Sequence, residues 1–269
     1  MNPQDFEFIA SMVKEKSGLV LTEDKVYLLD NRLMPLARNR SIEDLAGLVA
    51  KLRTNDAALI TEVVEALTTN ESLFFRDTHP FETFRDKIVP ELLQSNSASK
   101  SFRIWCAAAS SGQESYSLIM TLNEMAAQLP GWRYELVGTD ISLDILEKAK
   151  SGRYTQFEVQ RGMPITMLVK YFDKEGEHWV FKPEFRKLAQ FKFFNLLDPL
   201  SSLGKFDVVF CRNVLIYFDA ETKKKILEQI ADMLPDHGKL FLGGAETVIG
   251  ITDRFTTVPG CRGVYQKTG

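Results

Sequence analysis

The sequence predicts an α/β protein: an all-helical N-terminal part, then a doubly wound, mostly parallel sheet with a small antiparallel β insertion. Two observations carry this prediction. From Asp5 to Thr69, apolar residues recur at helical spacing. Beyond the polar run Gln94-Ser95-Asn96-Ser97-Ala98-Ser99, short apolar runs alternate with helical patterns, the order that builds parallel strands joined by crossovers.

In the first part, Phe6, Ile9 and Val13 form one stripe, and Tyr27, Leu28, Leu33 and Leu36 a second. Leu45, Leu48, Val49 and Leu52 form a third, and Leu59, Val63, Val64 and Leu67 a fourth. Gly18 reads as a helix stop, and Ser41 with Asp44 as a capping box. A further helix, Pro80 to Leu93, leads into the polar run. Strands follow at Phe102 to Ala107, Tyr134 to Val137, Phe206 to Cys211 and Lys239 to Leu242. Helical patterns stand between them at Tyr116 to Leu129, Leu143 to Lys150 and about Ala220 to Leu234. His178 to Phe181 and Phe191 to Phe194 have no helix between them, which places an antiparallel insertion at about residues 170–195. Phe255 to Val258 and Gly263 to Gln266 flank Pro259-Gly260 as a closing hairpin. The expected division is residues 1–75 helical, 76–100 linker helix and loop, and 101–269 sheet domain.

Composition narrows the function. The 269 residues are 45% hydrophobic and 26% charged, enough for a sizeable core and too apolar for a disordered chain. Lys plus Arg is 33 against 36 for Asp plus Glu, a net charge of −3 that argues against a bulk nucleic-acid binder. Cys106, Cys211 and Cys261 form no CxxC pair and fit a reducing compartment. The apolar runs fall far short of the roughly 20 residues that span a bilayer. The opening MNPQDFEFIASMVKEK lacks the basic n-region of a signal peptide. A cytoplasmic protein without nucleic-acid partners or direct membrane insertion is expected. His79, His178 and His237 lie apart from one another and from the cysteines, so no metal site is expected.

Ligands of open α/β sheets bind beyond the carboxyl ends of the strands. Three segments stand there: Ala107-Ala108-Ala109-Ser110-Ser111-Gly112-Gln113-Glu114, Gly138-Thr139-Asp140, and Cys211-Arg212-Asn213. Small residues in the first let a ligand approach the backbone, but the GxGxxG of a dinucleotide site is absent. Asp140 could accept hydrogen bonds from a ribose diol or cap the next helix. Glu114 could serve the same ligand or stand as a solvated first-turn acid. Their joint placement at successive strand ends favours a nucleoside site. Asn70 to Arg76, a polar cluster with two aromatics, ends the helical part and is expected at a crevice between the domains.

Taken together, NESLFFRD, AAASSGQESYS, GTDIS and FDVVFCRNVLIYFD closely resemble the bacterial chemotaxis receptor methyltransferase (CheR) family, in the family's order and across essentially the whole chain. The resemblance implies a Rossmann-like S-adenosylmethionine-dependent methyltransferase domain, with S-adenosylhomocysteine as product. It also implies a protein-glutamate O-methyltransferase that forms glutamyl methyl esters on the cytoplasmic helices of methyl-accepting receptors. The family's cofactor contacts fall on Asn70, Ser72, Arg76, Glu114, Asp140, Asn195, Leu196, Arg212 and Asn213. Arg76 and Tyr217 match positions close to the reacting centre. Ser72 stands where Thr is expected, and Gln113-Glu114-Ser115 where relatives often read Glu-Glu-Pro. The insertion's turn, Asp173 to His178, is short and acidic, so independence from a receptor C-terminal peptide tether is expected.

The chemistry agrees with the resemblance. A glutamate carboxylate, with a reference pKa of about 4.3, is already a nucleophile at neutral pH and needs no general base. Residues 31–53 carry a local charge of +3, and Arg32, Arg38, Arg40 and Arg53 are the expected docking surface for acidic receptor helices. The alternatives are a methyltransferase for another substrate and a non-catalytic signalling module that binds S-adenosylmethionine or a nucleotide.

Overall fold

A computed structural model describes residues 2–268, with the side chain of Leu28 outside the description. The chain forms two compact units: one runs to Thr69 and includes Tyr217–Thr222, the other comprises Asn70–Ile216 and the chain from Lys223 onward.

The first unit contains α1 (Pro3–Ser17), α2 (Val26–Asn39), α3 (Leu45–Leu52) and α4 (Ala57–Leu67). Gly18 ends α1 in the left-handed conformation, φ 78°, where only glycine avoids a steric penalty. Asp44 is itself the N-cap of α3, accepting from Gly47 N at 2.7 Å, rather than the partner of a cap at Ser41. Ile9, Val13, Leu29, Leu33, Leu48, Val63 and Leu67 form the core. On α2 the buried stripe runs Leu29, Leu33, Ala37, at a spacing of four, and leaves Tyr27 62% exposed. Of the expected stripe, Leu33 is buried and Leu36 packs partly buried against the core, while Tyr27 faces out. Leu28, assigned to that stripe, lies outside the described side chains. Tyr217 packs against this core and its carbonyl accepts from Val20 N at 2.9 Å.

The second unit opens with α5 (His79–Thr83), a π-type turn and α6 (Val89–Ser95). There follow β1 (Ser101–Ala107), α7 (Gln113–Glu124), β2 (Arg133–Asp140), α8 (Leu143–Ser151), β3 (Arg153–Thr155), α9 (Gln156–Gln160) and α10 (Ile165–Tyr171). Then come β4 (Phe172–Glu175), β5 (His178–Phe181), α11 (Pro183–Arg186), β6 (Ala189–Phe193) and β7 (Val208–Cys211). The chain closes with α12 (Ala220–Met233), β8 (Lys239–Leu242), β9 (Phe255–Thr257) and β10 (Val264–Lys267).

The main sheet has the order β6-β2-β1-β7-β8-β10-β9. Its first five strands pair in parallel, and β10 and β9 close it as an antiparallel hairpin. The chain builds outward from β1 through β2 to β6, then returns to β7 on the other side. The carboxyl ends of β1 and β7 thus flank a topological switch point. Fully buried Phe84, Tyr116, Phe210 and Phe241 are prominent in the core, with Phe210 stacked on Phe241 at 4.3 Å.

The insertion differs from expectation in its bounds. It is the three-stranded antiparallel sheet β3-β5-β4, spanning residues 153–181. Phe191, expected within it, lies in β6 and pairs in parallel with Gly138 of β2. A Cβ on Gly138 would lie 2.8 Å from the Phe191 ring, so the bare glycine backbone makes the room that admits β6.

Candidate functional site

The three strand ends meet at the switch point. After β1, Ala108 and Ser110 take left-handed φ values of 55° and 49° before Gly112 opens α7 at 88°. This tight turn aims two backbone amides across the sheet. Ala109 N donates to Thr139 O at 2.8 Å, and Ser110 N donates to Asp140 Oδ2 at 2.8 Å. Asp140 Oδ1 accepts from Ser142 N at 3.0 Å, while Ser142 caps α8. Asp140 is thus no helix cap. It is a buried carboxylate, 6% exposed, fixed by two amides at the end of β2. Phe194 N donates to Asp140 O at 2.9 Å, bringing the loop with Asn195 and Leu196 to the same edge.

β7 delivers the cation. The Arg212 side chain is 2% exposed. Its Nη1 donates to Glu114 Oε2 at 2.8 Å, and its Nη2 to Asp77 Oδ2 at 2.7 Å and to Arg76 O at 3.1 Å. Glu114 is consequently an ion-paired acid rather than a solvated one. Burial pushes its carboxyl above the usual range, Arg212 pulls it down, and the nearby Glu246 charge adds to the rise. Glu246, which no motif flagged, accepts four backbone N–H bonds around Asn213. The sequence assigns no role to Asp77, the last residue of the NESLFFRD motif.

The 70–78 segment is bound to this edge. Ser110 Oγ donates to Asn70 O at 2.9 Å, and Phe75 N donates to Ser117 Oγ at 2.9 Å. Ser72 is partly buried on the segment, and the Arg76 guanidinium reaches Glu71 O at 3.5 Å. Six of the nine non-glycine residues with positive φ among the described residues (Phe75, Asp77, Thr78, Ala108, Ser110 and Asn213) lie on these strand ends and this segment. Such strain concentrates where a site over-determines its backbone.

Tyr217 and the four arginines belong to the helical unit. Arg32 donates to Leu67 O at 2.9 Å and Thr68 O at 2.8 Å, satisfying carbonyls at the end of α4. Arg40 pairs with Glu62. Arg53 pairs with Asp5 at 3.4 Å and lies 4.3 Å over the Phe8 ring. Arg38 is exposed. Among the described residues, no group of three His, Cys, Asp or Glu side chains could hold a metal, and no helix is long and apolar enough to cross a membrane.

Residues 70–264 match the family model described as the CheR methyltransferase, SAM binding domain, and residues 4–68 match the CheR methyltransferase, all-alpha domain. The chain belongs to the CheR family. It is 42% identical over 267 residues to a chemotaxis protein methyltransferase of Pseudomonas aeruginosa, covering 98% of this chain and 97% of that protein. A Pseudomonas putida relative is 41% identical over 268 residues, with the same coverage. The chemotaxis protein methyltransferase of Escherichia coli is 33% identical over 257 residues, or 93% of this chain and 87% of that protein.

S-adenosylmethionine is accordingly the cofactor of this CheR chain, and the residues present fit it. Asp140 stands at a strand end where a ribose diol can be received, and the turn after β1 carries only small side chains. Arg212 Nε is buried with no hydrogen-bond partner among the described residues, an unused donor at the same edge. The raised Glu114 pKa means that the folded state holds this proton more tightly than the unfolded one. Stability from the protonated form is full below about pH 4 and is lost as pH rises through the raised folded value. Against Glu114→Gln, the wild-type Tm should therefore fall as pH is raised above about 4 and through the raised folded value. A constant difference across that range would contradict it.

Proposed function

We propose that this CheR chain transfers methyl groups from S-adenosylmethionine to glutamate side chains on the cytoplasmic helices of chemotaxis receptors, forming glutamyl methyl esters in the cytoplasm. One observation carries the reading. At the cofactor edge the ionisable groups are already engaged: Arg212 with Glu114 and Asp77, and Asp140 with two amides. A hydroxyl or ammonium acceptor would need a base to remove its proton. A carboxylate acceptor, ionised at neutral pH, arrives ready.

Bound at this edge, S-adenosylmethionine supplies an electrophilic methyl on a sulfonium. The residues of the chain then bind and orient. Asp140 receives the ribose hydroxyls, and Glu114 the cationic amino-acid end. Asn70, Ser72, Asn195, Leu196, Arg212 and Asn213 complete the lining. Arg76 orients the incoming carboxylate, and Tyr217 is assigned to the same step from its sequence position. Alignment at about 3–3.5 Å and exclusion of water carry the rate.

Receptor recognition falls to the helical unit, where the exposed Arg38 and the carbonyl-bound Arg32 supply positive field to steer acidic helices, while Arg40 and Arg53, paired with Glu62 and Asp5, add less. Independence from a peptide tether is supported by the compact β4–β5 turn, two residues long at Gly176 and Glu177.

The test supplies methyl-labelled S-adenosylmethionine to a receptor cytoplasmic fragment with and without its terminal peptide. Base-labile label should enter both fragments, and Asp140→Ala should lose calorimetric binding of the cofactor along with transfer. Tight binding with no label on any glutamate would sink the enzyme reading and leave a signalling module.

A further inference from the structure

The loop that carries Arg212 and Asn213 lies between the end of β7 and a short helical turn at Leu215–Tyr217. The backbone N–H groups of Asn213, Val214 and Leu215 need acceptors. All three use one carboxylate. Glu246 Oε2 accepts from Asn213 N at 2.8 Å, and Oε1 accepts from Val214 N at 2.9 Å and Leu215 N at 2.7 Å. Oε2 also accepts from Gly243 N at 2.6 Å, tying the ends of β7 and β8 together. Bonds from N–H to a carboxylate are about twice as strong as neutral ones.

The surroundings leave little latitude. Asn213 holds a left-handed φ of 60°, a conformation that its neighbours must impose. A Cβ on Gly243 would lie 2.7 Å from Glu246 Oε2, 2.7 Å from Asn213 Nδ2 and 2.9 Å from Asn213 N. Gly244, next in the chain, has open space around it. With two donors on each oxygen, the carboxylate is committed to the backbone rather than to a ligand.

We infer that Glu246 is a positioning residue of the cofactor site: its carboxylate fixes the Arg212–Asn213 backbone and acts on the ligand through those two residues. The inference rests on the cofactor site proposed above.

S-adenosylhomocysteine binding, followed by calorimetry and paired with amide hydrogen exchange, tests it. Glu246→Gln should weaken binding by roughly tenfold or more, the scale set by losing hydrogen bonds to a charged group. Amides 213–215 should exchange faster while β1 and β2 stay protected. In the double variant with Asn213→Ala, the loss should fall short of the product of the two single losses. Gly243→Ala, which keeps the carboxylate, should also weaken binding, whereas Gly244→Ala should bind as wild type. Wild-type affinity in Glu246→Gln, or losses that multiply independently as a merely structural role would give, overturns the inference. Should Glu246→Gln fail to fold, equal affinities of the Gly243→Ala and Gly244→Ala proteins overturn it. A wild-type protein that binds no S-adenosylhomocysteine overturns the cofactor site itself, a separate result.

Discussion

Replacing Arg212 with methionine should lower the Tm by roughly 10 °C and abolish S-adenosylhomocysteine binding. The substitution keeps an unbranched apolar stem in a site where the native side chain is 2% exposed. Among the described residues it removes the one cation in hydrogen-bond contact with Glu114, whose own side chain is 15% exposed. Breaking a buried pair by deleting one partner typically costs about 3–5 kcal/mol, because the remaining charge is stranded. For a chain of this size each kcal/mol moves the Tm by roughly 2–4 °C. The Asp77 contact adds little, since that carboxylate is 55% exposed and its attraction is screened. The stranded Glu114 can escape by taking up a proton, so the Tm deficit should narrow as the buffer is acidified. A deficit that stays constant with pH would place the loss in packing rather than in charge.

Gly162→Ala should destabilise the sheet unit by about 2 kcal/mol or more and weaken cofactor binding with it. Gly162 has φ 84°, and a Cβ there would run into the backbone carbonyl of Phe74. Two penalties therefore coincide: a left-handed conformation for an L-residue and a clash with an atom that cannot rotate away. Phe74 sits in the middle of the segment that bears Asn70, Ser72 and Arg76, so any retreat of its backbone shifts proposed ligand contacts. Gly176→Ala makes the comparison. It has φ 59° and nothing within 4 Å of the added carbon, so it should cost only about 1 kcal/mol. Urea unfolding of the two variants separates the clash from the dihedral term, and equal midpoints would refute the close approach.

Much of this architecture was legible in the sequence, for a physical reason. Buried parallel strands are apolar along their length, so Phe206 to Cys211 and Lys239 to Leu242 announce themselves, and the polar residues ending such runs fall at the carboxyl edge. That is why Asp140, Glu114 and Arg212 stand out in the sequence as residues of one sheet edge, where the structure places them. β6 was misplaced because its partner is chosen by Gly138, whose missing side chain matters only once Phe191 packs against it. β3, three residues long, is too short to show any alternation. The role of Asp77, though it ends the NESLFFRD motif, depends on Arg212, 135 residues away, and Glu246 escaped notice because it serves backbone amides around Asn213, 33 residues away, that carry no sequence signature.

The excursion of Tyr217–Thr222 bears on how such a protein can be rebuilt. Those residues lie deep in the second half of the chain yet belong to the helical unit, where Tyr217 packs on the core and Asp219 meets Lys14 at 2.7 Å. A cut after Thr69 would therefore not yield an intact module. It would take the helices without one of their own packing residues, and leave the remainder with a stretch of chain whose partners are gone. The two units are stitched rather than strung, and domain grafting between relatives would have to carry residues 217–222 along with the first 69.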